Sequence, residues 1–179
     1  MIGEDMKLER LSDLNKHYYS AAFSLLESAF PWAERREQAE QQRILGIPEY
    51  HFDLILENES LLGLMLYWEL DHLIFLEHFT TMPHLRNQGV GSVALSLLKE
   101  KGKPILLEIE PPIDQLTCRR YGFYQRNGFL MNPFYHIQAK YHPGDEDLEL
   151  KILSWPGSLT AEEYRGFYSY MIRHVSCQP

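Results

Sequence analysis

The spacing of apolar residues changes along this chain, and each change predicts a different element. Residues 7–11 alternate between polar and apolar positions, which predicts a short edge strand. From residue 17 to residue 30, apolar residues return every three or four positions, which predicts a helix that Pro31 ends. Residues 33–45 are rich in Glu, Gln and Arg, so we predict a second helix that stops at Gly46.

Three strand-like segments follow, and the gaps between them are short. The segments cover residues 50–57, 61–70 and 73–82. Asn58, Glu59 and Ser60 separate the first two, and Asp71 and His72 separate the next two. Connections of this length predict β-hairpins, so we expect the three strands to be antiparallel neighbours.

The second half of the chain alternates helices with strands. Helices are predicted at residues 92–101, at 117–127 and from Thr160 to about 175, and strands at 104–109, 132–139 and 148–153. Thr160 and Glu163 form a capping-box pattern, and Tyr164 belongs to the face of this tail helix that is expected to pack on the sheet. The order predicts a mixed α/β (α+β) fold with a central, mostly antiparallel sheet of about seven strands, flanking helices and an extra C-terminal helix.

Length and charge limit what this chain can be. With 179 residues, of which 45% are apolar, one domain over residues 1–179 is expected. The net charge of −8 argues against a nucleic-acid partner, because phosphate binding needs a basic surface. Neither a secretion signal nor an apolar run of roughly 18 residues is found, so we expect a cytoplasmic protein without a membrane partner, monomeric or homodimeric.

Cysteine and histidine spacing does not indicate a metal site. The two cysteines, Cys118 and Cys177, lie far apart in the sequence, which suits a reducing compartment. The eight histidines form no H-x-x-x-H motif and no cluster with a cysteine. We therefore expect no metal cofactor.

The segment after the third hairpin strand has the composition of a phosphate-binding loop. Pro83 ends the strand, and the run Arg86-Asn87-Gln88-Gly89-Val90-Gly91-Ser92 opens the next helix. A helix N-terminus presents N–H groups and a partial positive charge, so it binds phosphate oxygens. Glycines allow the backbone to approach a ligand closely, and Arg86 adds a forked cation that suits a diphosphate.

Two other interpretations of this loop are open. In the first, the glycines are needed only to form the turn between strand and helix, and the loop binds no ligand. Residues 89–94 also fit the dinucleotide pattern G-x-G-x-x-A, and Glu108 and Glu110 lie about twenty residues further on, where an acid meets the ribose. Against a dinucleotide, Gly89 does not follow its strand directly, because Pro83 and five further residues intervene.

Two motifs together resemble the signatures of the GNAT N-acetyltransferase superfamily. Arg86-Asn87-Gln88-Gly89-Val90-Gly91 resembles the core pattern Q/R-x-x-G-x-G/A, which follows a strand and a proline. Phe123-Tyr124-Gln125-Arg126-Asn127-Gly128-Phe129 resembles the second motif, a helix that ends F/L-Y-x-x-x-G-F. The resemblance covers roughly residues 61–129. It implies an N-acyltransferase that passes acetyl from acetyl-CoA to a primary amine of a small molecule or peptide.

The resemblance also implies which residues bind the cosubstrate acetyl-CoA. In this family the fourth and fifth strands splay apart, and the pantetheine arm pairs with the backbone of the fourth. The implied contacts are Phe79, Thr80 and Thr81 for the pantetheine and Arg86, Asn87, Gln88, Gly89, Val90, Gly91 and Ser92 for the pyrophosphate.

Three residues are candidate catalytic groups under the resemblance. Tyr124 matches the tyrosine that protonates the departing thiolate, and a phenol with a reference pKa of about 10 stays protonated at neutral pH. Glu77 and Glu108 are candidate general bases, since a carboxylate on a buried strand suits an incoming ammonium. His78 is expected on the opposite strand face from Glu77, and Glu110 on the same face as Glu108.

Part of the chain departs from the family pattern. Thr117 stands where many members have an asparagine that contacts the cofactor. Trp32, Tyr135 and His136 are candidates for the wall of the acceptor site. The alternative function is a non-catalytic acyl-CoA-binding or sensing module, and the presence of Tyr124 with an acid on the central strand favours the enzyme.

Overall fold

The computed structural model describes residues 5–13 and 15–176, and this part of the chain divides into two compact units. Unit one contains the residues up to 31 and residues 37–104, and unit two contains residues 32–36 and those from 105 onward. The expected single domain over residues 1–179 stays a prediction. Cys177 lies outside the described residues.

Unit one contains four antiparallel strands in the order β1-β2-β3-β4. They are β1 (Met6–Arg10), β2 (Tyr50–Glu57), β3 (Ser60–Glu69) and β4 (Ile74–Thr81). Asn58 and Glu59 form the turn between β2 and β3, with φ of 47° and 62°. Two consecutive positive φ angles give the turn that matches the twist of paired strands. The predicted strands and hairpins are confirmed to within one residue at each end.

Three helices also belong to unit one, and the apolar period sets the face that two of them bury. They are α1 (Tyr19–Ala29), α2 (Gln38–Ile44) and α3 (Val90–Lys99). The buried face of α1 consists of Ala22, Phe23, Leu25 and Leu26, and that of α3 consists of Val90, Ala94, Leu95 and Leu98. α1 packs against β3 and β4, and α3 packs against β1 and β4. This is the spacing that places apolar residues on one helical face.

The prediction of a helix over residues 33–45 was wrong in its first half. Trp32–Glu34 form a single 3₁₀ turn, and Glu37 is extended before α2 begins. Arg36 lies between them and is only 2% exposed. Its guanidinium donates to the Val175 carbonyl oxygen at 2.9 Å and lies 5.0 Å from the centre of the Tyr141 ring. These buried contacts outweigh local helix propensities, which differ by at most about 0.7 kcal/mol per ordinary residue.

In unit two, three strands pair with β8 (Glu149–Trp155), all antiparallel. They are β5 (Ile105–Ile109), β6 (Leu130–Met131) and β7 (His136–Ile137). The strand predicted over residues 132–139 was therefore wrong as a continuous element. Pro133 has no N–H to donate to β8, and the chain leaves the pairing between β6 and β7.

Two helices complete unit two, and both begin at a capping box. α4 (Gln115–Arg126) starts two residues earlier than predicted, because the Asp114 side chain accepts from the Thr117 N–H. α5 (Ala161–His174) starts as predicted, with Thr160 and Glu163 exchanging hydrogen bonds. None of the helices in the described part of the chain has the length and apolar content that crossing a bilayer requires.

The described residues contain eight strands and five α-helices, and the strand pairs within each unit are antiparallel. The predicted mixed α/β class, with mostly antiparallel strands and an extra C-terminal helix, is confirmed. Eight strands replace the expected seven because the strand near Pro133 is split in two.

Gly63 lets β3 and β4 approach closely near the end of β4. A Cβ at this position would lie 2.4 Å from the Thr80 carbonyl oxygen and 3.0 Å from the Thr81 Cα. Both are backbone atoms, so they cannot rotate away as the end of a side chain can. The path of the backbone at Thr80 and Thr81 therefore depends on a missing side chain on the neighbouring strand.

Gly63→Ala is expected to lower the free energy of unfolding by about 1–3 kcal/mol, since the extra methyl forces β3 and β4 apart. Gly46→Ala is the matched control, because a Cβ at Gly46 meets no atom within 4 Å. Urea unfolding of both variants measures the difference. Equal free energies of unfolding for the two variants would contradict the close contact.

Candidate active site

The chain between β4 and α3 makes one 3₁₀ turn and then a left-handed bend. The turn spans Pro83–Leu85, and Asn87 and Gly89 follow with φ of 64° and 88°. Gly89 is the N-cap of α3, in a backbone region that disfavours residues with a Cβ. The helix consequently begins at Val90, two residues before the predicted start. The 3₁₀ turn separates the glycines from their strand, unlike a dinucleotide loop, in which the first glycine follows the strand directly.

The first turn of α3 is accessible to an external hydrogen-bond acceptor. Gly89 has no side chain that caps the helix, whereas Asp114 and Thr160 cap α4 and α5. The N–H groups at such a helix start attract anions together with the helix dipole. Arg86 lies three residues before Gly89, is exposed, and forms no ion pair or hydrogen bond through its side chain among the described residues. This arrangement can bind a phosphate or a diphosphate.

The other predicted cofactor residues lie at the end of β4. Phe79, Thr80 and Thr81 are half-buried and pair with Met65, Leu64 and Gly63 of β3. In the following loop, the Gln88 side-chain amide donates to the His84 carbonyl oxygen at 2.7 Å, which holds the loop to the preceding turn. All predicted cofactor-binding residues therefore belong to one continuous strand–turn–helix segment of unit one.

Glu77 occupies a β-bulge that the sequence did not reveal. Leu76 and His78 pair with consecutive residues of β3, so Glu77 between them is an extra residue on β4. The bulge interrupts the alternation of side chains, and the prediction that His78 points away from Glu77 was wrong. Glu77 Oε2 lies 3.8 Å from His78 Nδ1, and the two side chains are 1% and 3% exposed. Phe30 contacts the His78 ring edge-on, with ring centres 4.6 Å apart.

Tyr124 lies near the end of α4 in an aromatic environment. Its ring packs edge-on against Phe123 and Phe129, with ring centres 5.2 and 5.7 Å apart. Burial raises the pKa of Tyr124 to about 12, and the positive charge of Arg120 acts in the opposite direction. The phenol therefore stays protonated at neutral pH, as a proton donor must.

Glu108 is bound to a histidine that the sequence did not connect with it. Glu108 Oε1 shares a hydrogen bond with Nε2 of His136, whose ring is completely buried. The other ring nitrogen, Nδ1, lies 3.0 Å from the Tyr164 hydroxyl of α5. His136 was predicted only as a wall residue and Tyr164 only as a packing residue. The spacing of aromatic residues along α5 indicated that this helix packs on the sheet, but it could not indicate which strand the helix covers.

Further charged groups lie near Glu108 in unit two. Arg120 on α4 forms an ion pair with Glu110. Glu34 is half-buried, and burial raises its pKa; Arg120 lowers this pKa and Glu108 raises it. Within the described residues, no three His, Cys, Asp or Glu side chains are grouped so that they could hold a metal ion.

The hydroxyl of Thr117, which replaces the asparagine of the family pattern, serves the start of α4. It accepts hydrogen bonds from the N–H groups of Ile113 and Asp114 at 3.1 and 3.0 Å. Trp32 and Tyr135 are 51% and 73% exposed. Their assignment to the acceptor wall stays a prediction.

The candidate residues are divided between the two units. Unit one contains Glu77 and, two residues further along β4, the start of the cofactor segment at Phe79. Unit two contains Tyr124 and Glu108. Glu108 forms a hydrogen bond with His136. Burial raises the pKa of Tyr124, and the positive charge of Arg120 acts against this rise.

Three comparisons with known proteins agree on one family. Residues 9–129 match the sequence model of the acetyltransferase (GNAT) family. The Bacillus subtilis (strain 168) protein YjbC, named as a candidate acetyltransferase, is 29% identical over 143 residues, which is 79% of this chain and 73% of that protein.

Solved structures are similar over most of the chain. A GNAT-family protein from Bacteroides thetaiotaomicron, also named as a candidate acetyltransferase, superposes with a TM-score of 0.89 at 31% identity. The match covers 97% of this chain and 99% of that one. A GNAT-family acetyltransferase from Elizabethkingia anophelis with acetyl-CoA bound has the same fold, with a TM-score of 0.57 at 16% identity over 84% of this chain and 97% of that one.

Tyr124→Phe is expected to make the protein more resistant to alkaline unfolding. The pKa of Tyr124 is about 12 in the folded state and about 10 for an exposed phenol, so the unfolded state ionises first as pH rises. The buried neutral phenol contributes about 2–3 kcal/mol to the free energy of unfolding. This contribution is fully present below about pH 10 and is lost as the pH rises from about 10 to about 12. Denaturant unfolding across this range should show a smaller fall for the variant. Parallel curves for variant and wild type would contradict the burial of the phenol.

Proposed function

Because this chain belongs to the acetyltransferase (GNAT) family, we propose that it transfers an acetyl group from acetyl-CoA to a primary amine of a small molecule or peptide. The observation that best supports the proposal is the start of α3, which has no side-chain cap and follows a loop that exposes Gly89 and, three residues earlier, Arg86. Such a helix start is suited to the pyrophosphate of coenzyme A.

In the proposal, acetyl-CoA is bound by the strand–turn–helix segment of unit one. The first N–H groups of α3 bind pyrophosphate oxygens, and Arg86 supplies a forked cation to the same group. A Cβ at Gly89 would meet no atom within 4 Å, so the space in front of the helix start can accept a phosphate. Along Phe79–Thr81, the backbone groups on one edge of β4 pair with β3. We assign the backbone groups on the other edge to hydrogen bonds with the pantetheine amides.

The reaction we propose is direct attack, in which acetyl-CoA supplies a thioester carbonyl. The amine nitrogen forms a bond to the carbonyl carbon, and a backbone N–H of β4 near Phe79 stabilises the negative charge on the oxygen. The carbon–sulfur bond then breaks, and Tyr124 donates its phenolic proton to the departing thiolate. The phenolate regains a proton from solvent, and the products are the N-acetyl amine and coenzyme A.

Glu77 is our candidate for the general base that deprotonates the incoming ammonium. Its carboxylate is buried on β4, two residues before the segment assigned to the pantetheine. Glu108 suits this role less well, because its carboxylate already shares a hydrogen bond with His136. Water can also take the proton, so the loss of Glu77 is expected to slow the reaction without abolishing it.

The proposed function is tested by thiol release from acetyl-CoA against an amino acid, spermidine, an aminoglycoside and a peptide with a free N-terminus. Acetyl-CoA should raise the melting temperature, because a ligand that binds only the folded state stabilises it. Thiol release should then depend on one class of amine. Stabilisation without amine-dependent release indicates the acyl-CoA-binding module, and stabilisation by NADH alone indicates a dinucleotide-binding protein.

The binding segment has its own control within the same assay. Arg86→Ala should raise the KM for acetyl-CoA about tenfold, the cost of one charge-assisted hydrogen bond, and leave kcat nearly unchanged. Arg43→Ala is the matched control, since the side chain of Arg43 is 77% exposed in the same unit. Equal KM values for the two variants would remove the support for a pyrophosphate at this loop.

Two conservative substitutions test the chemical roles. Tyr124→Phe and Glu77→Gln should each lower kcat by about 10²- to 10⁴-fold, the usual contribution of a positioned acid or base, with little change in either KM. Tyr121→Phe, on the same helix as Tyr124, is the control and should retain wild-type kcat. Unchanged turnover in both test variants would show that the assignment of acid and base is wrong.

A further inference from the structure

The strand register of unit two places Glu108 and His136 on one face. Glu108 pairs with Ile152 of β8, and His136 pairs with Leu150, two residues earlier. Paired residues share a face, and positions two apart on a strand point to the same side. α5 covers this face, with the rings of Phe167 and Tyr168 centred 6.2 and 5.7 Å from the His136 ring. His136 and α5 lie beyond the part of the chain that the family model matches.

The tautomer of His136 follows from the hydrogen bonds of Tyr164. A tyrosine hydroxyl has one proton, and that of Tyr164 donates to the Tyr135 carbonyl oxygen at 2.9 Å. A carbonyl oxygen can only accept, so the Tyr164 oxygen must accept from His136 Nδ1, 3.0 Å away. Nδ1 of His136 is therefore protonated. The ring is fully buried, so water does not compete for this proton.

The contact between His136 and Glu108 contains one further proton, since Nε2 and Oε1 can share a hydrogen bond only with a proton between them. If the proton resides on Nε2, the pair is an imidazolium and a carboxylate. If it resides on Oε1, the pair is a neutral imidazole and a carboxylic acid. The net charge of the pair is zero in both cases.

The second carboxylate oxygen of Glu108, Oε2, is not the one that His136 contacts. His136 is the partner of Glu108 among the described residues, and it contacts Oε1 alone. The Glu108 side chain is 10% exposed, and Oε2 is not among the buried polar atoms that lack a hydrogen-bond partner, so this oxygen has some contact with solvent. Besides burial, which raises the pKa of Glu34, Arg120 lowers this pKa and Glu108 raises it, so a second carboxylate and a guanidinium lie in this region. An oxygen in this position can accept a hydrogen bond from a bound amine.

We infer that Glu108 is an amine-positioning residue, and that His136 and Tyr164 act through it by holding its carboxylate with one oxygen free for the acceptor. The inference rests on the proposed acetyl transfer and deepens it, because it names the group that orients the amine. It also gives the C-terminal helix a role in the reaction. Because the pair already holds its proton, Glu108 is not the group that deprotonates the ammonium.

The tautomer is tested by ¹⁵N NMR of the full chain labelled on histidine, with the His136 signals assigned through contacts to the Phe167 ring. We expect a protonated Nδ1 and a slowly exchanging proton on the Glu108 contact. In Tyr164→Phe, Nδ1 of His136 loses its acceptor, and its ¹⁵N shift should move to the value of an unprotonated nitrogen. The ring of residue 164 keeps its stacking on Phe134. Tyr168→Phe, one turn further along α5, is the matched control and should leave the shifts unchanged. An unprotonated Nδ1 in the wild type overturns the inference.

Amine binding is tested separately from transfer, by titrating n-butylammonium while following the His136 signals. A hydrogen bond to Glu108 Oε2 should move the proton shared with Nε2 in a saturable way. Tetramethylammonium has the same charge and no N–H, so it should not move this signal. No response to butylammonium, or an equal response to both cations, overturns the inference whether or not acetyl transfer is observed.

Kinetics with the best acceptor of the panel separate positioning from base catalysis. Tyr164→Phe should raise the KM for the amine about tenfold, with kcat and the KM for acetyl-CoA within about twofold of wild type. Glu108→Gln should keep the acidic limb of the kcat–pH profile, because the base lies elsewhere. A fall in kcat with loss of that limb overturns the inference and makes Glu108 the base. If no amine is acetylated, the proposed function fails, and the two NMR experiments still decide whether Glu108 positions an amine.

Discussion

The left-handed backbone of Gly89 is the constraint on which the candidate site depends. A φ of 88° costs a residue with a Cβ roughly 1–2 kcal/mol, so glycine is the residue that fits there. Its conformation ends the loop and starts α3 at Val90, whose side chain is buried. The helix is therefore anchored in the core by its first residue, while the N-cap Gly89 and the loop residues before it, back to Arg86, are exposed. The anion site is a consequence of backbone geometry more than of any one side chain.

The strand that leads to this loop is shaped in the same way by its backbone. Gly63 allows β3 to approach the carbonyl of Thr80 more closely than any side chain would permit. The bulge at Glu77 changes the direction of two side chains just before the segment assigned to the pantetheine. Regular pairing of β3 and β4 would have placed Glu77 and His78 on opposite faces. The irregularity is what brings these two titratable groups together.

Unit two places a polar pair, Glu108 and His136, on the sheet face that α5 covers. Replacing a buried ion pair by well-packed hydrophobic residues is often neutral or stabilising, so the pair of Glu108 and His136 is not explained by stability alone. Both ring nitrogens of His136 have partners, Nε2 in Glu108 and Nδ1 in Tyr164, whose hydroxyl donates to the Tyr135 carbonyl. A satisfied network of this kind holds each member in one orientation. Orientation of Glu108 is therefore the better explanation for placing this pair under α5.

The sequence by itself determined the features that depend on neighbouring residues: the hairpins, the capped tail helix and the glycine loop, whose motif also identified the family. These follow from period, turn chemistry and backbone restrictions, which act over a few positions. The tertiary structure alone decided the rest. Arg36 leaves its predicted helix to contact Val175, and the Glu77 bulge depends on its pairing with β3. Glu108, His136 and Tyr164 are successively 28 residues apart, and the strand register and the docking of α5 bring them together, which no local pattern specifies.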